Sequence, residues 1–358
     1  MLENFNRYSE LNIFDPSQLK VEVKNTTVGL LVEMLDSDVI DMHPYFQRRE
    51  NLWSKKKKSE LIESILLGLP VPSFYFYLDS RRKKWVIIDG LQRLCSIRDF
   101  LVKESMKLEG LEILKDMNQR TYKSFSFFEQ TNMKMFPVTL NIISGDVNSF
   151  IISQIFKRVN SAGTPLNAPE IRNALYQGPA TTLIDKMVGL PVFQRLVSKK
   201  VDVKRMLDKD YANRYLAFRI GDFNTYKGNL ESFLSDALKF VNSLPEENTN
   251  FMLADFENAL TCCERLHGED VFRLPPKDDS MKTRRISRSL FEMLTLSFAG
   301  VSLTSLEIIC QHRQEYMKWY QNLLMDPKIE KSLISSTNTR ENVETRLNGM
   351  KLIINKFI

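Results

Sequence analysis

In the first 145 residues of the chain, segments with apolar residues at helical spacing alternate with segments with apolar residues at strand spacing. One helical run follows Ser54 and stops before Pro70, and a second follows Asp89-Gly90 with Leu94 and Leu101 on one face. Three short runs of β-branched and aromatic residues predict strands, the first two as a hairpin around a polar turn: 73–78, 85–88 and 137–143.

Beyond this region the spacing becomes almost entirely helical. Asn167 and Glu170 form an N-x-x-E capping box with Pro169 in the first turn, which predicts a helix that continues to Tyr176. Further helical stretches run to the C-terminus. We therefore predict an α+β protein in which an α/β head, residues 1–145, is followed by a mainly helical body, residues 146–358.

The composition of the 358-residue chain is that of a folded protein. Hydrophobic residues make up 43% and charged residues 26%, which excludes a disordered or collagen-like chain. No apolar run approaches the roughly 20 residues that cross a bilayer, no export signal is visible, and the four Cys show no pairing rhythm. These features lead us to expect a cytoplasmic protein without a membrane partner.

The net charge of +6 is small, but the basic residues are clustered. Such clusters suit contacts with the phosphates of DNA, although a solvated surface explains them as well. The residues that we predict to contact DNA are Lys55, Lys56, Lys57, Arg81, Arg82, Arg284 and Arg285.

Several common catalytic motifs are absent from the sequence. There is no G-x-x-x-x-G-K-[ST], G-x-G-x-x-G, H-E-x-x-H or G-x-S-x-G, and the three His are too scattered for a His-rich metal site. Asp15 followed by Glu22-Val23-Lys24 has the acid/acid-x-lysine order of some metal-dependent nucleases, but this pattern is common by chance.

The most informative stretch is Asp89-Gly90-Leu91-Gln92-Arg93, between a predicted strand and a predicted helix. Glycine lets the backbone approach a ligand, and N–H groups at a helix N-terminus favour an anion. Arg93 can hold a phosphate, Asp89 can hold Mg²⁺ or orient water, and Gln92 can bridge water and phosphate. The same five residues are also consistent with an ordinary Asp-Gly turn followed by a surface arginine that binds no ligand.

Two further polar clusters complete the pattern. The first is Pro44-Tyr45-Phe46-Gln47-Arg48-Arg49, followed by Trp53, and the second is a helix end with the sequence Asn160-Ser161-Ala162-Gly163-Thr164. An aromatic anchor explains the first and helix capping explains the second. The candidates for ligand contacts in these two clusters are Gln47, Arg48, Asn160, Gly163 and Thr164.

Taken in order, these blocks resemble the DUF262 family, the ParB/sulfiredoxin-like module of the GmrSD type IV restriction systems. The similar segments are P-Y-F-Q-R-R…W, I-I-D-G-L-Q-R-L and F-x-x-x-N-x-x-G-x-x-L…E-I-R-N-A-L-Y-x-G, and a weaker likeness continues through 208–218 and 336–346. The resemblance implies a ParB-like head. It also implies nucleotide hydrolysis at the family's D-G-Q-Q-R motif, matched here by Asp89, Gly90, Gln92 and Arg93, whereas Leu91 replaces the first Gln.

The resemblance leaves three hypotheses for function. The leading one is a nucleotide-binding, NTP-hydrolysing DNA sensor of a restriction or anti-phage system, with Mg²⁺ at Asp89. The second is a non-catalytic nucleotide- or DNA-binding module that regulates a separate nuclease subunit, and the third is a ParB-like DNA-nicking nuclease. Modified or phage DNA and a second copy of the chain are further expected partners. The sequence does not specify the nucleotide.

Overall fold

A computed structural model describes residues 19–41, 53–79, 83–145, 154–156, 158–159, 167–221, 226–274 and 285–358. The described residues fall into two compact units, an N-terminal unit that ends at Asn167 and a C-terminal unit that begins at Ala168. The short helical pieces 154–156 and 158–159 follow the predicted head in sequence, but they belong to the N-terminal unit.

The N-terminal unit is built on a mixed five-stranded sheet in the order β1-β5-β3-β4-β2. Strand β5 pairs antiparallel with β1 and parallel with β3, while β4 pairs antiparallel with β3 and parallel with β2. The strands are β1 (Lys20–Thr27), β2 (Ile40–Asp41), β3 (Phe74–Asp79), β4 (Lys84–Asp89) and β5 (Pro137–Ser144). The three predicted strands are confirmed.

Among the described residues, four α-helices of nine or more residues accompany the sheet. Helix α2 begins after Ser54, whose side chain accepts the Lys57 N–H at 3.2 Å, and a buried ion pair between Lys58 and Asp99, 2.6 Å apart, joins α2 to α3. The helices are α1 (Val28–Asp36), α2 (Lys55–Leu66), α3 (Leu91–Leu101) and α4 (Phe127–Met135). Both predicted helices, after Ser54 and after Gly90, are confirmed.

The described part of the C-terminal unit is helical apart from one isolated β-bridge between Arg273 and Ile286. Its α-helices are α5 (Ala168–Leu175), α6 (Pro179–Gly189), α7 (Pro191–Leu196), α8 (Leu207–Ile220), α9 (Leu230–Asn242), α10 (Glu246–His267), α11 (Arg288–Phe298), α12 (Leu303–Gln311), α13 (Arg313–Met325), α14 (Pro327–Ile334) and α15 (Arg340–Ile354). The predicted α+β class is therefore confirmed.

A chain of buried charges crosses this helical unit. Arg172 pairs with Asp210, whose other oxygen accepts from Arg214 at 3.1 Å, and Arg214 also pairs with Glu292. Glu292 in turn binds Arg346, which is fully buried and also donates to the Thr337 carbonyl at 2.6 Å. The three arginines, Arg172, Arg214 and Arg346, lie in the segments that carry the family resemblance.

No single helix in the described ranges combines the length and apolarity needed to cross a membrane. The two helices α11 and α12, which meet at a sharp bend, pass the test when they are counted together, by length and composition only. Helix α11 is largely buried within the C-terminal unit.

Candidate nucleotide-binding turn

The sequence Asp89-Gly90-Leu91 joins the end of β4 to the start of α3, as predicted. Gly90 adopts a left-handed conformation with φ of +103°, which other residues rarely adopt. A Cβ atom at Gly90 would stand 2.5 Å from Cδ1 of Phe74, too close for any side chain. Glycine is therefore required both by the turn and by the Phe74 ring beneath it.

Helix α3 begins without a side-chain cap, because Gly90 occupies the N-cap position. The Leu94 N–H donates to the Gly90 carbonyl at 2.8 Å as the first bond of the helix. The N–H groups of the first turn of any helix lack an acceptor within the helix, and together with the helix dipole they attract anions. The backbone of this turn therefore suits a phosphate.

Arg93 is engaged within the protein. Its Nη2 atom donates to Oδ2 of Asp89 at 2.8 Å, and its Nη1 atom donates to the Pro72 carbonyl and, at 3.2 Å, to the Ser73 carbonyl. The guanidinium also stacks on Phe74, 4.9 Å from the ring centre. Its side chain is only 8% exposed, and burial, opposed by Asp89, lowers the pKa of Arg93. Arg93 thus fixes β3 and the Asp89 carboxylate in place.

Gln92 connects the turn to the segment that precedes α2. Its Oε1 atom accepts the backbone N–H of Trp53 at 3.2 Å. Trp53 is the first described residue after the P-Y-F-Q-R-R motif. The remaining predicted ligand contacts lie outside the described residues: Gln47, Arg48, Asn160, Gly163 and Thr164.

The predicted DNA-binding lysines lie in the first turn of α2 and are exposed. Lys56 is near Glu112 at 3.4 Å and Glu60 at 3.8 Å, and Lys57 lies over the Trp53 ring at 5.0 Å. That turn contains no acidic residue, although a helix N-terminus is stabilised by negative and not by positive side chains. Helix stability therefore does not explain these lysines.

The other predicted DNA contacts are distributed differently. Arg285 is exposed and belongs to the C-terminal unit, whereas the lysines belong to the N-terminal unit. Arg81, Arg82 and Arg284 lie outside the described residues.

Asp89 is the one predicted metal ligand, and its carboxylate is 31% exposed. The described residues contain no group of three or more His, Cys, Asp or Glu that could hold a metal ion. Mg²⁺ is commonly bound through one carboxylate together with nucleotide phosphates and water, and Asp89 fits that limited role. Glu22 and Lys24 of the nuclease-like fragment form an exposed ion pair with each other on β1, at 3.3 Å.

Residues 31–177 match the family model described as GmrSD restriction endonuclease, N-terminal domain. The matched stretch contains α2, β3, β4, α3 and β5, and hence the whole candidate turn. Most of the matched residues lie in the N-terminal unit, which is therefore similar to this domain. No curated protein and no solved structure matches the chain.

Phe74 was not identified from the sequence as part of the turn, because only polar residues and glycine were considered there. Its ring excludes any side chain at position 90 and supports the Arg93 guanidinium. In the sequence Phe74 is simply the first aromatic residue of a strand, so nothing there separates it from Phe76, which is equally buried.

Proposed function

We propose that the protein binds a nucleoside triphosphate at the Asp89–Arg93 turn and hydrolyses it as a component of a restriction system directed at foreign DNA. The single observation that carries the proposal is the Gly90 turn: a left-handed glycine at the uncapped start of α3, with the Asp89 carboxylate beside it. The match of residues 31–177 to the model of the GmrSD N-terminal domain supports the restriction role.

In this proposal each residue of the turn has a distinct task. The backbone N–H groups at the start of α3 bind phosphate oxygens, since they carry the positive end of the helix dipole. Bound Mg²⁺ would neutralise the phosphates, with Asp89 as its protein ligand. Gln92 orients the attacking water, and Arg93 positions Asp89 and the strand below, because its guanidinium is already bound to both.

Binding should be measured first, with full-length protein, Mg²⁺ and each of ATP, GTP, CTP and UTP in isothermal titration calorimetry. Asp89→Asn should weaken binding of the preferred nucleotide at least about tenfold, since it removes a charge at the metal. Asp116→Asn, an exposed acid in a short helical turn of the same unit, is the matched control and should bind as the wild type does. Equal binding by Asp89→Asn would refute the assignment of the turn.

We further propose that Lys55, Lys56 and Lys57 contact the DNA backbone. Replacing all three with Gln should lower DNA affinity and reduce the slope of log affinity against log salt by about 3, one for each phosphate that is no longer neutralised. Lys318, Lys328 and Lys331 of the C-terminal unit, changed together to Gln, are the control. An unchanged salt slope in the first variant would refute the proposed DNA contact.

A second function is favoured by Leu91, which occupies the first position of α3 where the family motif has Gln. An apolar side chain cannot orient water. The domain would then bind nucleotide without turnover and regulate a separate nuclease subunit. Tight nucleotide binding with no phosphate release would support this function over hydrolysis, and metal-dependent nicking of plasmid that Asp89→Ala abolishes would support the nuclease hypothesis.

A further inference from the structure

The C-terminal unit contains a cavity of about 730 Å³, a volume typical of small-molecule sites. Its walls come from the end of α8, the loop between α11 and α12, and one face of α15. All of these elements lie within the C-terminal unit, so the cavity is separate from the Asp89–Arg93 turn.

The α15 wall carries a stripe of polar side chains. Glu344, Asn348, Lys351 and Asn355 recur at four- and three-residue steps, so they share one face of the helix, and all four line the cavity. The two amides can both donate and accept hydrogen bonds. Leu347 and the apolar residues at the end of α15 line the cavity too, so this wall presents polar and apolar surface together.

Positive charge dominates the lining. Arg219 and Lys351 line the cavity, and Glu344, its one acid among the described residues, is bound to Arg340 at 2.9 Å. Arg219 is bound through Nε to Asp255 at 2.7 Å, while Lys351 makes no ion pair with any residue that the structure describes. Among the lining residues themselves, two cations, Arg219 and Lys351, stand against one carboxylate, Glu344.

Arg219 is held in a fixed position at the cavity wall. The Asp255 carboxylate that binds it also accepts the Tyr215 hydroxyl at 2.7 Å and the backbone N–H of Gly300 at 2.9 Å. The Nη2 atom of Arg219 would lie 3.8 Å from a Cβ at Gly300, so the guanidinium lies beside the loop that lines the cavity. Such a preorganised cation suits an anionic ligand.

Helix α12 begins at the same loop region. Its N-cap Ser302 accepts the Ser305 N–H at 3.0 Å, and both serines line the cavity. The positive end of the helix dipole at this N-terminus favours an anion.

From these features we infer that the C-terminal unit binds a phosphate monoester of about mononucleotide size. Arg219, Lys351 and the N-terminus of α12 bind the phosphate. The amides of α15 bind the polar edges of the ligand, and Leu296 and Leu347 contact its apolar surface. This site is additional to the triphosphate site proposed for the N-terminal unit.

The inference is tested by calorimetry on the full chain with AMP, GMP, CMP and UMP as probes and adenosine as the phosphate-free comparison. At least one monophosphate should bind, and adenosine should bind at least about tenfold more weakly than AMP. Lys351→Gln, at an exposed position, should weaken monophosphate binding about tenfold without changing thermal stability. Lys318→Gln on α13, another exposed lysine of the same unit, should bind as the wild type does.

Three results would overturn the inference: no monophosphate binds at millimolar concentration, Lys351→Gln binds as the wild type does, or adenosine binds as tightly as AMP.

Discussion

Arg93 donates to the carboxylate of Asp89 at 2.8 Å, so the two charged ends of the D-G-L-Q-R motif bind each other across one turn of helix. The same guanidinium donates to two carbonyls at the start of β3 and rests on the Phe74 ring. These contacts hold the motif in one conformation before any ligand binds. A loss of activity in an Arg93 variant therefore has to be distinguished from a loss of folded structure.

Arg93→Ala should destabilise the N-terminal unit by about 3 kcal/mol, because the Asp89 carboxylate and the Pro72 and Ser73 carbonyls lose their donor. Arg93→Lys should cost less, since it retains one charged donor. Urea denaturation followed by tryptophan fluorescence in a Trp319→Phe background measures this, as Trp53 and Trp85 then report on the N-terminal unit alone. Wild-type stability in Arg93→Ala would contradict the positioning role.

Gly90→Ala should also destabilise this unit by about 3 kcal/mol, from the left-handed backbone and the clash with Phe74. Phe74→Leu removes the ring but leaves the backbone strain. In a double-mutant cycle Gly90→Ala should therefore cost about 1 kcal/mol less in the Phe74→Leu background. Strictly additive effects would show that the Phe74 ring does not restrict position 90.

In the C-terminal unit, Arg346→Met should cost about 3 to 5 kcal/mol, because it leaves Glu292 with one of its two arginine partners in a fully buried position. Adding Glu292→Gln should recover part of this loss, since the unpaired charge is removed. Far-UV circular dichroism during urea unfolding gives both values. A double variant that is less stable than Arg346→Met alone would contradict this account.

His267 should make the C-terminal unit sensitive to acid. It is half-buried against Tyr316 and Tyr320, with Nε2 2.7 Å from the Tyr316 hydroxyl, and desolvation together with Arg313 lowers its pKa to about 4. The unfolded chain, with an ordinary His pKa near 6.5, takes up the proton first as the pH falls. The stability contributed by neutral His267 is complete above that value and is lost as the pH falls towards 4.

This loss should amount to about 2 kcal/mol between pH 8 and pH 5. His267→Gln should show a correspondingly smaller change in the free energy of unfolding over that interval, measured by urea denaturation at each pH. The exposed His312 gives the control variant, His312→Gln, which should retain the wild-type pH dependence. An unchanged pH dependence in His267→Gln would contradict the assignment.

The sequence predicted the strands 73–78, 85–88 and 137–143 and the turn after β4, because apolar spacing and Asp-Gly are local signals. Strand β1 was missed because its apolar alternation is limited to Val21 and Val23, which is too short to distinguish a strand, and both side chains are exposed. The hydrogen bonds of Arg93 to Pro72 and Ser73 could not be predicted either, since the acceptors are backbone carbonyls about twenty residues away in the sequence. A motif identifies such an arginine but not what it binds.

The most direct test of the proposed hydrolase is phosphate release from ATP, GTP, CTP and UTP with Mg²⁺, with and without DNA, by the wild type and by Leu91→Gln. The variant restores the family's D-G-Q-Q-R motif on the first turn of α3 without touching the Asp89–Arg93 pair. We expect release of phosphate from one nucleotide, faster turnover in Leu91→Gln, and its loss in the Leu91→Gln, Asp89→Asn double variant. No release by either the wild type or Leu91→Gln, in any condition, would contradict hydrolysis at this turn.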